Sequence, residues 1–359
     1  MNLKMMQYKK LSVLGVVTLT ALVLLSGCQS VRKSSDAADV PTPTKTVITY
    51  NSLSGRVGTD GPVLVVKIDD TAQAHPQIGL DEADVVYIEQ VEGGLTRLAA
   101  VFSSIIPNQI GPVRSARISD IDILAQYGHV AFAYSGAQSK LLPVIHAANL
   151  QDLGAQRESP TIYVRDETRY APVNLILQAD LLMARLKAES VPIDVSKNMG
   201  WNFSLAAPLG GNPIISVKLT WPANSYTATW SATQSRWLFY QNGKPDLAAD
   251  GKQLGPTTLA IQMVSITPSI YHDKFGGVTP FSATVGQGDG FILRDGTSYP
   301  AKWSRPSATS GTTWTQIDGS PLPFAPGQIW VALTNTVPVF ALPTPAGTSA
   351  TSASPTPTK

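Results

Sequence analysis

Short apolar runs separated by glycine turns restrict the fold of this sequence more than any other feature. The 359-residue chain contains 28 Gly and 27 Pro, and both residue types favour turns over helix interiors. From residue 214 onward, apolar runs of strand length alternate with turn signals. Four of these signals are pairs typical of β-hairpins, namely Asn242-Gly243, Gly276-Gly277, Asp295-Gly296 and Asp318-Gly319. The segment 213–337 is therefore predicted to be a mainly antiparallel β domain.

The preceding segment, 61–190, has the mixed periodicity of α/β structure. Apolar runs at 63–68, 85–88, 98–102 and 129–134 predict buried strands. Helical spacing of apolar residues predicts helices at 115–127, 138–148 and 172–187. Residues 191–212 contain two Pro and three Gly, which predicts a linker. The sequence thus predicts an α+β fold, in which a layered sheet–helix N-terminal domain is followed by the β-rich domain.

The N-terminus has the pattern of a secretory signal. Lys4, Lys9 and Lys10 precede an uncharged, mostly apolar stretch at 11–25, which is short for a membrane span. The next residues, Leu25-Ser26-Gly27-Cys28, resemble the lipobox of bacterial lipoproteins, and Cys28 is the only cysteine. In that family the thiol carries diacylglycerol and the chain is cut just before it. An uncleaved membrane anchor with a buried free thiol is the alternative.

The lipoprotein interpretation gives both ends of the chain an expected role. Residues 1–27 are the expected signal peptide and Cys28 is the expected lipidation site. Residues 28–60 and 338–359 are polar and rich in Pro, Thr and Ser, and we expect a disordered tether and a disordered tail there. The expected location is the extracytoplasmic face of a bacterial cell membrane, with the lipid as the membrane contact.

Composition excludes several classes of function. The chain has 27 basic and 25 acidic side chains, and the resulting charge of +2 predicts no nucleic-acid partner. One cysteine and four histidines predict no disulfide framework, no metal site and no cofactor. The sequence also lacks a Gly-x-Ser-x-Gly elbow, a P-loop and a Gly-x-Gly-x-x-Gly loop. No named reaction class follows from motifs, so whether the protein is an enzyme stays open.

Charged and hydroxyl side chains gather where the predicted strands end and the first predicted helix begins. Two arginines at a helix start oppose the helix dipole, so they require a compensating acid or an anionic ligand. Two interpretations stay open, a buried ion-pair network with the nearby glutamates and an anion-binding cleft. The candidate ligand-binding residues are Asp69, Glu89, Glu92, Thr96, Arg97, Arg114, Ser115 and Arg117.

Several of these residues belong to ordered motifs. The motifs are Ile68-Asp69-Asp70, Val91-Glu92-Gly93-Gly94-x-Thr96-Arg97, Gly111-Pro112-Val113-Arg114-Ser115-Ala116-Arg117 and Arg169-Tyr170-Ala171-Pro172. Together they resemble the YerB-like bacterial lipoproteins, a family of unknown function. The resemblance implies a lipid-anchored, two-domain envelope protein and brings no established reaction. The chain departs from the family at Asp70, where Asn is usual, and at residues 134–137, where a His/Gly-rich stretch is frequent.

Two functional hypotheses follow. In the first, the protein is not an enzyme and binds a cell-wall glycan, a peptide or an envelope protein through a cleft lined by Arg and Glu. In the second, it is an envelope hydrolase or transferase that acts on an anionic or glycan substrate. Its acid and base would come from Asp69, Asp70, Glu89 and Glu92, and the arginines would hold the substrate.

Overall fold

The computed structural model describes residues 48–344. Its α-helices are α1 (Ile118–Ala125), α2 (Leu142–Ala147) and α3 (Ala179–Ala188). The strands of the first half are β1 (Leu64–Asp69), β2 (Val85–Gln90), β3 (Thr96–Phe102), β4 (Gln109–Ile110), β5 (Val130–Tyr134), β6 (Leu150–Gly154), β7 (Tyr163–Arg165) and β8 (Leu175–Gln178). The remaining strands are β9 (Asn212–Pro213), β10 (Ser216–Trp221), β11 (Asn224–Ser231), β12 (Arg236–Gln241), β13 (Lys244–Pro245), β14 (Thr258–Met263), β15 (Ile266–His272), β16 (Val278–Ser282), β17 (Gly286–Arg294), β18 (Thr297–Arg305), β19 (Thr313–Gln316), β20 (Ile329–Thr334) and β21 (Val339–Ala341).

The central sheet contains eleven strands and joins the two halves of the chain. Its order is β19-β18-β17-β14-β20-β2-β3-β1-β5-β6, with β9 paired to β18. Strand β20 lies between β14 and β2 and is parallel to both. Because β20 comes from the C-terminal half and β2 from the N-terminal half, the segments 61–190 and 213–337 share one continuous sheet.

Both faces of the central sheet are covered, and β1 shows how the sequence encodes this. Leu64, Val66 and Ile68 belong to one apolar core, whereas Val63 and Val65 belong to the other. Successive side chains of a strand point to opposite faces, so a strand that is covered on both sides reads as a continuous apolar run. Helix α1 packs on the side of Val65, which we call the helix face. The other side is called the sandwich face.

A second sheet covers the sandwich face. Its five strands have the order β13-β12-β11-β10-β21, and Tyr226, Trp237 and Phe239 from it join the core that contains Leu64. Strands β15 and β16 form a separate hairpin, and β4, β8 and β7 form a small three-stranded sheet. The described chain is mostly β, with 42% strand and 12% helix, so the predicted α+β layering is right only in part.

The predicted helices are shorter in the structure. Helix α1 begins at Ile118 rather than at residue 115, because the preceding backbone runs along β1 and Arg114 N–H donates to Lys67 O at 2.8 Å. The helix predicted at 172–187 is wrong over its first turns, where β8 pairs with β4 and β7. Only α3 remains of it. Pairing within the small sheet outweighs the helical spacing of the apolar residues.

The expected disordered and linking segments are largely folded where the structure describes them. Within the predicted tether, Leu53 and Ser54 are fully buried. Within the predicted linker, Met199 and Trp201 are buried, and within the predicted tail β21 pairs with β10. The expectation of a disordered tether is therefore wrong for residues 48–60, and that of a disordered tail is wrong for 339–341. The signal peptide and Cys28 lie outside the described residues, and no helix in 48–344 is long and apolar enough to cross a membrane.

Candidate functional site

Three of the predicted site residues form a row across the central sheet. Arg97 on β3 is opposite Asp69 on β1 and opposite Glu89 on β2. All three point to the helix face, because each lies two positions along its strand from Lys67, Ala99 or Tyr87, which point to that face. The row lies at one end of the sheet, where the extended segment 113–117 leads into α1.

The segment 113–117 is fixed by two neighbouring backbones. Arg114 N–H donates to Lys67 O on β1, Ser135 N–H donates to Arg114 O at 2.9 Å, and Ala116 N–H donates to Gly136 O at 2.9 Å. The Asp120 carboxylate accepts from Arg117 N–H at 2.6 Å at the start of α1. Arg114 and Arg117 therefore lie in extended backbone before α1, whereas the sequence predicted them at the start of a helix that begins at residue 115.

Two of the three arginines at this place are paired with carboxylates. Arg114 Nε contacts the buried Asp69 carboxylate. Arg117 donates from Nε and Nη2 to Glu92 Oε2 at 2.9 and 2.7 Å, and the Thr279 hydroxyl donates to the other Glu92 oxygen. Burial raises the pKa of Glu92, but the charge of Arg117 and these hydrogen bonds outweigh it, and the pKa of Glu92 is lowered. Glu92 is therefore held as an anion.

Arg97 differs from both neighbours. Only 8% of the residue is exposed, and no carboxylate oxygen among residues 48–344 lies within 4 Å of its guanidinium. Its hydrogen bond goes from Nη1 to Ser115 O at 2.9 Å. Burial, followed by the charges of Arg117 and Arg114, lowers the pKa of Arg97 to about 9. Arg97 is thus a buried cation, at neutral pH, with no carboxylate in direct contact among the described residues.

The three guanidinium groups face a common cavity of about 520 Å³, which we call the arginine cavity. Glu92 and Ser115 also line it, as do Gln138 and Leu141 from the segment between β5 and α2. The β15–β16 hairpin also contributes to the lining, including Lys274, Phe275 and Thr279. The arginine cavity is therefore open to a ligand and has more cationic than anionic groups in its lining.

Glu89 does not reach the arginine cavity. Its carboxylate contacts Lys67 Nζ, and Lys67 also donates to Asp120 Oδ1 at 2.7 Å. All three side chains are fully buried between β1, β2 and α1. Burial and the charge of Asp120 raise the pKa of Glu89 to about 7, against the opposing charge of Lys67. The expected contact between Glu89 and the cavity arginines is wrong, because Lys67 is closer on the same face.

Thr96 lies on the opposite side of the sheet. As the strand neighbour of Arg97 it points to the sandwich face, where its hydroxyl donates to Asp70. Asp70 also accepts from Gln241 Nε2 at 2.8 Å. The Asn224 amide and the Tyr226 hydroxyl donate to it as well. Burial raises the pKa of Asp70 to about 7, although the charge of His75 and these hydrogen bonds oppose the rise. Thr96 therefore belongs to a contact between the two sheets and not to the arginine cavity.

His75 forms a second polar contact beside Asp70. Its Nδ1 lies 3.0 Å from Thr71 O, and its Nε2 lies 3.2 Å from Asp246 Oδ1 and 2.8 Å from the Gln77 amide. Burial lowers the pKa of His75, but the hydrogen bond to Asp246 and the charges of Asp246 and Asp70 outweigh it, and the pKa is raised. Sequence reasoning missed this pair, since 170 residues separate His75 from Asp246 and no local pattern links them.

Three carboxylates near the cavity are engaged by basic side chains. Asp69 and Glu92 are each engaged by an arginine, and Glu89 is enclosed with Lys67. A general acid or base needs a proton position within reach of a substrate, and these three groups are held in ion pairs instead. Among residues 48–344 no group of three His, Cys, Asp or Glu is placed to hold a metal ion. The chemistry that the arginine cavity offers is binding of an anion.

Comparison with known proteins gives the chain a family. Residues 51–192 match the N-terminal domain, and residues 216–331 the C-terminal domain, of a protein family of unknown function, DUF3048. The chain is 24% identical over 312 residues to the putative lipoprotein YerB of Bacillus subtilis (strain 168), over 86% of this chain and 90% of that protein. The crystal structure of the YerB protein from Bacillus subtilis has the same fold, with a TM-score of 0.70 at 18% identity over 82% of this chain and 99% of that one. The resemblance that the motifs predicted is confirmed, and the chain belongs to the DUF3048 family.

Proposed function

We propose that this protein is a lipid-anchored binding protein of the cell envelope that captures an anionic group of its ligand in the arginine cavity. The ligand class is a cell-wall glycan, a peptide or an envelope protein that carries carboxylate or phosphate. The observation that carries the proposal is the environment of Arg97, which is buried beside Arg114 and Arg117 and has no carboxylate partner among the described residues.

The pairing of charges around the arginine cavity supports binding of an anion at Arg97. Asp69 neutralises Arg114 and Glu92 neutralises Arg117, so one positive charge is left over on Arg97. An oxyanion in the cavity would supply the missing charge and accept from the guanidinium in the two-pronged geometry that arginine favours. The binding energy is large at such a position, because a cation that is already desolvated loses little more water when the ligand arrives.

The anchor part of the proposal rests on the N-terminal sequence and on the relative. Cys28 follows a signal-like segment, and the relative from Bacillus subtilis is named a putative lipoprotein. An anchor at Cys28 would place the arginine cavity at the outer surface of the cell membrane. The hydrolase or transferase alternative has no comparable support, because the carboxylates it requires are occupied.

The test is anion binding by the full-length protein in a neutral detergent. Sodium phosphate and sodium acetate are titrated at constant ionic strength, and binding is followed by calorimetry and by the rise in Tm that a ligand of the folded state produces. We expect saturable binding that is lost in Arg97→Met. The matched control is Arg236→Met, because Arg236 lies on β12 and donates to the backbone oxygens of Gln253 and Gly255. No saturable binding by the unchanged protein would refute the proposal.

A further inference from the structure

Two further cavities adjoin the arginine cavity at Arg114. The second cavity, of about 740 Å³, is lined by Tyr163, Arg165 and Pro172, and the third, of about 680 Å³, by His75 and Arg169. Arg114 lines all three cavities, and Ala171 and Pro172 line both the second and the third. The binding surface is therefore larger than the arginine cavity alone.

A continuous backbone floor connects the arginine cavity to the second cavity. The segments 113–117 and 135–139 run side by side, joined by the hydrogen bonds from Ser135 N–H to Arg114 O and from Ala116 N–H to Gly136 O. Residues 115–117 and 137–139 of these segments line the arginine cavity, whereas 113, 114 and 135 line the second cavity. One pair of segments thus underlies both, and Arg114 stands at their junction.

Each end of this floor carries an arginine without an acidic partner, and of the two Arg97 is buried and Arg165 is exposed. Arg97 is at the end formed by the arginine cavity. Arg165 is at the end formed by the second cavity, where its Nη1 donates to Asn174 Oδ1 at 2.7 Å and no carboxylate among residues 48–344 lies within 4 Å. Glu158, the acidic residue in that lining, is already paired with Arg185 at 2.9 Å. Arg97 lines the arginine cavity but not the second cavity, and Arg165 lines the second cavity but not the arginine cavity.

We infer that the ligand is a linear polyanion, an envelope polymer with anionic groups repeated along a flexible chain. One anionic group occupies the arginine cavity at Arg97, the chain passes Arg114, and a later group contacts Arg165 in the second cavity. This inference rests on the proposed function and adds the class of ligand. Because both anionic groups belong to one chain, contact at Arg165 is intramolecular once the first group is bound at Arg97. A polymer therefore binds far more tightly than a single anionic group of the same kind.

The experiment compares ligands of increasing length on the full-length protein in neutral detergent at fixed ionic strength. Inorganic phosphate, tripolyphosphate and long-chain polyphosphate form one series, and acetate and poly-glutamate form a carboxylate series that distinguishes the two kinds of anion. We expect long-chain polymer of one series to bind about 100-fold tighter per chain than its single group. The salt dependence of binding should also be steeper for the polymer, because more counterions are released.

The variant Arg165→Met separates this inference from the proposed function. It should weaken polymer binding about tenfold more than single-group binding and reduce the salt slope by about 1. Arg236→Met serves as the control for nonspecific attraction of polyanions to basic protein. If Arg165→Met weakens the polymer no more than Arg236→Met does, the polyanion inference is overturned while anion capture at Arg97 stands. If neither phosphate nor acetate binds the unchanged protein, the proposed function fails first.

Discussion

Replacing Arg97 by methionine should make the unliganded protein more stable while it removes anion binding. Methionine has similar length and no charge, and it fills the space of the buried stem. Burial and the charges of Arg117 and Arg114 lower the pKa of Arg97 to about 9, well below the usual value of arginine, which at about 1.36 kcal/mol per pKa unit corresponds to a charging cost of about 5 kcal/mol. Against this stands the hydrogen bond to Ser115 O, worth about 1.5–3 kcal/mol for a charged donor.

The difference predicts a gain of about 2 kcal/mol in the free energy of unfolding, or about 4 °C in Tm for a protein of this size. The contrast variant is Arg117→Met, which leaves the buried Glu92 carboxylate without its cation and should lower stability by about 3–5 kcal/mol. Urea unfolding of both variants in anion-poor buffer measures the two values. A loss of stability in Arg97→Met equal to that in Arg117→Met would refute the argument, since Arg97 would then contribute to the fold as Arg117 does.

Two further predictions concern pH and the anchor. Asp70 and His75 both have raised pKa values in the folded state, so folding favours their protonated forms. The free energy of unfolding should fall as pH rises from about 4 to about 7, because Asp70 loses its proton over that range. It should fall further as pH rises from about 6.5 through the folded pKa of His75. Urea unfolding at about pH 6 and pH 8 should show this loss, and His75→Gln should reduce it; an unchanged loss in that variant would exclude His75 as a source. Replacement Cys28→Ala should release the protein from the membrane fraction and abolish labelling by a radioactive fatty acid, and unchanged retention without label in the native chain would contradict lipidation.

The sequence predicts those parts of the structure whose pattern lies within a few neighbouring residues. The runs that became β1, β2, β3 and β5 were readable because strands covered on both faces are apolar at nearly every position. The pairing of β20 with β2 was not readable, since it joins residues about 240 positions apart and leaves no local periodicity. The linker at 191–212 was misjudged for a related reason, because turn residues predict irregular backbone and say nothing of whether Trp201 is buried.

Strand alternation explains which candidate residues came together. Asp69, Arg97 and Glu89 lie on the helix face, but Thr96 is one residue from Arg97 and therefore points to the sandwich face. This division could have been deduced from the predicted strand by its period of two. The capture of Glu89 by Lys67 could not, because it depends on the register between β1 and β2 through β3. Of the two interpretations that the sequence left open, the ion-pair network describes Arg114 and Arg117, and Arg97 is the arginine on which the proposed anion site depends.

The other buried basic residues show how unusual Arg97 is within this fold. Lys67 is enclosed by two carboxylates. Arg294 donates to Asp295, to Pro323 O at 3.1 Å and to Ser204 O at 2.9 Å, and Arg305 donates to three backbone carbonyls and to Thr284. Arg97 donates to a single carbonyl, Ser115 O. Asp69 and Glu92 are close enough to raise its pKa but do not contact it. The fold gives each of these other buried cations several acceptors or a carboxylate and leaves Arg97, at a cavity, with a single acceptor. The proposed oxyanion would remove that charging cost. On the proposed function, the stability lost at Arg97 in the free protein would be regained as affinity when an anionic ligand binds.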